Sequence, residues 1–188
     1  MSWRRGTILL ILAIATGFGV ELATNSLGND QALLKLGALP DNGQLHAEFW
    51  RIGTYSFLHF NWLHLALNLG LLWWIGRIVE QQVGTARGAL IYLISVICSA
   101  AVILLVHNWH PKEGATVGAS GGVFGLLGAA LIIISRHQNG DALLRKWLLI
   151  VAVAGFGVSL LQDISMAGHI GGFIGGTATA LIMNISTK

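Results

Sequence analysis

The stretch GATVGASGGVFGLLGAAL, residues 114–131, decides how this chain is read. Its first part is glycine-rich, and it opens an apolar run that meets no charge until Arg136. Residues 119–136 approach the ~20 needed for a helix to cross a hydrocarbon core. One serine among glycines, Ser120, therefore heads a membrane helix.

Outward from that stretch the same pattern recurs. Of the 188 residues, 54% are hydrophobic and only 10% are charged. Soluble domains carry about 25% charged residues, so this chain cannot cover a globule with polar surface. Six apolar segments, near 7–24, 57–78, 86–107, 119–136, 144–162 and 166–184, predict an all-α polytopic membrane protein. Residues 1–188 fit one transmembrane domain, with no separate soluble domain. The basic start and the apolar run after it imitate a signal peptide, but there is no small-x-small site and Glu21 interrupts the pattern. It reads as a retained first helix. One long connection, residues 24–56, separates the first two segments, and long ordered loops are often functional. The single cysteine, Cys98, excludes an internal disulfide and reads as packing. The net charge of +3 is scattered at segment ends, which gives no support to nucleic-acid binding.

Lysine and arginine set the orientation. With the N-terminus inside, Arg4, Arg5, Arg77, Arg87, Arg136, Arg145, Lys146 and Lys188 gather on the inner side. Only Lys35, Arg51 and Lys112 fall outside. Both termini are then expected in the cytoplasm. The fourth and sixth segments start at the outer face, which places Ser120 and His169 at similar depth.

Polar groups inside spans are functional candidates because burying them is costly. His64 and Asn68 lie four apart and share a helix face, with His59 nearer the loop. Taken singly, each is equally a helix-joining hydrogen-bond group. Together with Ser120 they suit acyl transfer. A serine needs a base, and histidine is the usual one, here His169. The tetrahedral oxyanion needs donors: free N–H groups at the helix start beside Ser120, and the side chains of His64 and Asn68. For Ser120 and His169 to meet, their helices must nearly touch. Gly121, Gly125 and Gly128 on one helix, and Gly168, Gly172 and Gly176 on the other, permit that approach. Phe124, one turn after Ser120, is placed to pack on the imidazole. Asp163 is too near the surface to complete a triad, and Glu21 and Glu80 lie at segment ends, so a dyad is expected.

These motifs resemble the rhomboid family of intramembrane serine proteases, over residues 50–176. GASG (118–121) is similar to the family's GxSG motif, which implies Ser120 as nucleophile beside Gly118 and Gly121. HFNWLHLALN (59–68) resembles its histidine-rich helix, implying His64 and Asn68 in the oxyanion hole. AGHIGGFIGG (167–176) resembles its last helix, with His169 as base and Gly172 in the packing stripe. EFWR (48–51) resembles the Trp-Arg element of a long first loop half immersed in the outer leaflet. Many bacterial members carry tyrosine where Phe124 stands; the ring survives and its hydroxyl does not.

The resemblance implies a minimal six-helix enzyme of a bacterial inner membrane, without cofactor or metal. It would cut transmembrane segments of other membrane proteins near the outer face. Trp50 reads as an interfacial anchor, Arg51 as a structural group of the loop, and Glu80 as a cap or bridge at the inner end. Rival readings are a non-catalytic relative that binds client helices, a transporter, and a histidine metal site built from His59, His64 and His169.

Overall fold

The computed structural model describes residues 5–136, 141–160 and 165–183. Asp163, Arg4 and Lys188 lie outside them, as do the final residues of the last two predicted segments. Within them the chain is helical nearly throughout. The first helix, α1, runs Arg5–Ala23. A folded connection comes next, with α2 at Asp30–Leu36, a two-residue strand β1 at Leu39–Pro40 and the short α3 at Arg51–Thr54. A 3-10 turn, Tyr55–Phe57, leads to α4, Trp62–Leu71, which passes through a wide turn at Leu72–Gly76 into α5, Arg77–Val83. Then come α6 at Thr85–Trp109, β2 at Ala115–Thr116, α7 at Ser120–Arg136, α8 at Ala142–Val158 and α9 at Met166–Ile182.

Three of these helices are long and apolar enough to cross a membrane: Arg5–Ala23, Trp62–Val83 and Thr85–Trp109. Ser120–Arg136 and Met166–Ile182 are shorter apolar helices. The largest departure from expectation is the second span, which begins at Trp62 and runs on to Val83. Asn61 starts it late by accepting the His64 N–H at 2.8 Å, a capping bond that releases the preceding residues into loop. Polar residues carry it past 78 because Glu80 has work inside the protein. Its carboxylate accepts the Gly6 and Thr7 N–H groups at 2.9 and 3.0 Å and the Thr7 and Thr85 hydroxyls at 2.7 and 2.5 Å. The free N–H groups at the start of α1 are thereby satisfied.

The outer end of α1 is held by a second carboxylate. Glu21 is fully buried and accepts the His59 N–H at 2.7 Å. The connection after α1 is a platform in its own right. Asn29 caps α2 by accepting the Ala32 N–H, and Gly37 ends it at φ +113°, a left-handed conformation that suits glycine. β1 pairs antiparallel with β2, which ties the platform to the loop leading into α7. Beneath it Arg51 donates to the Leu34 and Ala38 carbonyls at 2.6 and 2.8 Å and pairs with Glu48 at 2.8 Å. Arg51 is thus a structural bolt. Phe49, Trp50, Trp62 and Leu63 remain exposed around the platform, an apolar rim suited to lipid.

At the centre stands α7, buried on every side from Gly121 to Ala130. A helix that is apolar all round belongs inside a bundle. Its neighbours α6 and α9 come close because side chains are missing. A Cβ on Gly172 would overlap the Gly121 carbonyl, and one on Gly176 the Gly125 carbonyl. Gly171 and Gly175 serve the other neighbour: a Cβ there would lie 2.7 Å from the Cys98 carbonyl oxygen and the Cys98 Cβ, respectively. Gly168 also turns toward α6, against Ile103 and Ser99, so the expected stripe is split between two helices. Overpacking typically costs about 1–3 kcal/mol, and here backbone is struck. Gly172→Ala should therefore lower unfolding stability in detergent by at least about 3 kcal/mol, the top of that range. Gly19→Ala, with open space around it, should leave stability unchanged or raised.

Candidate functional site

The site forms where the start of α7 meets the start of α9. Gly118 adopts φ +130°, and its N–H donates to the Tyr55 carbonyl at 3.0 Å. Ala119 accepts the Val123 N–H through its carbonyl, so α7 begins at Ser120. First-turn N–H groups of a helix have no partner within it and sit at the positive end of its dipole. The Ala119 N–H points instead at His59 Nε2, 3.5 Å away.

His59, placed nearer the loop by the sequence, is fully buried. Burial, with a smaller contribution from nearby His64, pushes its pKa down to about 3. The ring is therefore neutral and Nε2 can accept. With its backbone tied to Glu21, His59 joins α1 to the peptide just before Ser120. Its ring meets the His64 ring edge to face at 5.0 Å.

His64 lies against the loop because residue 118 is glycine. A Cβ at that point would stand 2.7 Å from His64 Cε1, 2.8 Å from its Nε2 and 3.8 Å from Ser120 Oγ. The imidazole edge and the hydroxyl thus border one small space. Asn68, one turn on, is buried, and its Nδ2 donates to the His64 carbonyl at 2.9 Å. One of its two N–H bonds is spent on its own helix.

On the far side Ser165 caps α9 by accepting the Gly168 N–H at 3.1 Å. That places His169 in the first turn, buried to 7% exposure. Phe124 stacks flat on its ring, with centroids 4.0 Å apart and planes 10° from parallel. Phe156 of α8 meets the other edge of Phe124 at 5.0 Å. His169 Nδ1 lies 2.5 Å from the Ser159 hydroxyl, at the end of α8. Among the described residues, Ser120 Oγ has no hydrogen-bond partner, and no hydrogen bond joins it to His169.

The structure thus gathers Ser120, Gly118 and His64 at one corner and His169 and Phe124 beside them, one turn along α7. No direct bond from Asn68 to α7 is formed. Sequence reasoning missed Ser159, whose only signal is a hydroxyl at the end of an apolar helix. It also undervalued Glu21, which acts through a backbone N–H that no spacing reveals. Among the described residues, no group of three His, Cys, Asp or Glu side chains is placed to hold a metal ion.

Residues 46–185 match the family model of the rhomboid domain. The chain belongs to the rhomboid family. It is 33% identical over 183 residues, 95% of its length, to the rhomboid protease GluP of Bacillus subtilis. It is 33% identical over 162 residues, 84% of its length, to RHOMBOID-like protein 7 of Arabidopsis thaliana. It spans 34% and 50% of those two relatives. Family and apolar helices together make this rhomboid an integral membrane protein with an all-α polytopic fold.

Gly118 offers a direct check on the corner geometry. In Gly118→Ala the methyl group meets both a left-handed backbone and the His64 ring. Residues held in such backbone regions cost of order 1–3 kcal/mol, so thermal unfolding in detergent should show a loss of about that size. Phe124→Tyr keeps the stacked ring but drives a hydroxyl from Cζ against Gly155, so it should show a loss as well.

Proposed function

We propose that this chain is an intramembrane serine endopeptidase that cuts transmembrane segments of other membrane proteins. The observation that carries the reading is the flat stack of Phe124 on His169. It anchors the imidazole to the face of α7 that Ser120 heads, where glycine lets the two helices touch. The relative named as a rhomboid protease supports the same reading.

In this mechanism His169 Nε2 takes the Ser120 proton as Oγ attacks the scissile carbonyl carbon. The developing oxyanion is met by the first-turn N–H groups of α7, by the His64 ring and by the remaining Asn68 N–H. Such preorganised donors act where charge develops. His169 then protonates the leaving amine. Water, activated by the same imidazole, releases the acyl group from Ser120. A substrate helix must unwind locally first, because its carbonyls are tied up in intrahelical bonds. The open Ser120–His169 bond suits an enzyme without substrate, since hydrogen bonds of this kind tighten when substrate binds. It is also what a non-catalytic client-binding relative would show. By the basic-residue bias both termini face the cytoplasm and the site opens toward the outer face of a bacterial inner membrane.

A serine-directed fluorophosphonate should label Ser120, which a non-catalytic relative would not. Ser120→Ala and His169→Ala should abolish cleavage of a model transmembrane substrate in detergent, Ser120→Ala without change in thermal unfolding. Asn68→Ala should lower kcat by up to ~10²–10³, the range for one lost oxyanion donor. Full cleavage by Ser120→Ala would overturn the proposal.

A further inference from the structure

The Ser159 hydroxyl touches two groups that the chemistry above does not use. Oγ lies 2.7 Å from the Gly155 carbonyl oxygen, one turn back in α8, and 2.5 Å from His169 Nδ1. The residue is 5% exposed, so water does not take the place of either partner. A hydroxyl carries one proton. A carbonyl oxygen only accepts, whereas an imidazole nitrogen donates or accepts according to its tautomer. Placing the hydroxyl proton on the Gly155 side makes Nδ1 the donor to Ser159 Oγ. Every N–H and O–H of the group then has an acceptor. The opposite placement puts the ring proton on Nε2, which makes no hydrogen bond among the described residues.

From this geometry we infer that Ser159 is a positioning residue that holds His169 in the Nδ1–H tautomer and leaves Nε2 bare to accept a proton. The inference rests on the reading of Ser120 and His169 as nucleophile and base. It supplies the third member that no carboxylate among the described residues provides. As the imidazole gains its second proton, the Nδ1–H bond to Ser159 becomes charge-assisted and leaves one fewer unsatisfied group around a buried cation. The end of α8 is fitted to this task. Gly155 leaves room for the Phe124 ring, which a Cβ there would meet at 2.5 Å, and Phe156 braces the same ring from the side. One turn of α8 thus controls the ring stacked on His169 and the proton on its far nitrogen.

The test uses full-length protein in detergent micelles, with Ser159→Ala, Ser159→Thr and Ser120→Ala. ¹⁵N-histidine NMR of the resting enzyme should show His169 as the Nδ1–H tautomer in the wild type and in Ser159→Thr, and a mixture in Ser159→Ala. For a model transmembrane substrate, Ser159→Ala should lose about 10-fold in kcat with KM unchanged, a part of the ~10²–10⁴ that positioned proton transfer contributes. Ser159→Thr should recover most of it. An unchanged tautomer in Ser159→Ala, or a kcat equal to wild type, would overturn the role of Ser159 while Ser120→Ala stayed inactive. Cleavage by Ser120→Ala would instead remove the dyad itself, and the tautomer measurement would still report on Ser159.

Discussion

The arrangement depends on the backbone contact between α7 and α9. Gly172 lies on the Gly121 carbonyl and Gly176 on the Gly125 carbonyl, closer than any helix pair with side chains at those positions could come. In a membrane there is no hydrophobic effect between helices, so close packing must supply association. The same contact has a chemical consequence. Ser120 precedes Gly121 by one residue and His169 precedes Gly172 by three, so the tightest point of the bundle lies directly beneath the two groups.

Around that contact the remaining polar groups are spent on holding the start of α7. Glu80 fastens the inner end of α1 and Glu21 its outer end, and Glu21 does so through the backbone of His59. His59 in turn accepts the N–H of Ala119, and Tyr55 accepts that of Gly118 through its carbonyl. The platform of the first connection is bolted by Arg51 and stitched to the approach of α7 by β1 and β2. Buried polar groups require partners, and here the partners form one chain from α1 to the peptide before Ser120. In contrast α8 buries only Leu148 and Ala152 along its described length, so its link to the site runs mainly through the residues at its end.

Much of this was legible from residue type and spacing. The apolar runs marked the helices, the glycine periodicity marked the close pair, and one-turn spacing put Ser120 with Phe124 and His64 with Asn68 on shared helix faces. Errors arose where local pattern and tertiary use diverge. The second apolar segment ends at 78 by sequence, yet α5 runs on to Val83, because Glu80 points inward to the start of α1. His59 read as lying near the loop, yet it is buried, where Glu21 accepts its backbone N–H and the Ala119 N–H reaches its Nε2. Gly168 counted within one stripe by its four-residue spacing, yet it meets α6, because α9 is wedged between two helices.

By itself the sequence determined the features that composition and period impose: a membrane bundle, its family, and the candidate hydroxyl and imidazole on neighbouring spans. These are local properties, set by burial preference and by 3.6 residues per turn. Only the tertiary structure decided the partners of each polar atom: Phe124 flat on His169, Ser159 on Nδ1, His59 behind Ala119, and Glu21 beneath His59. Hydrogen bonds and ring stacks depend on distances of a few ångströms between segments 10 to 60 residues apart in the chain, and those distances exist only once the glycines have let the helices close.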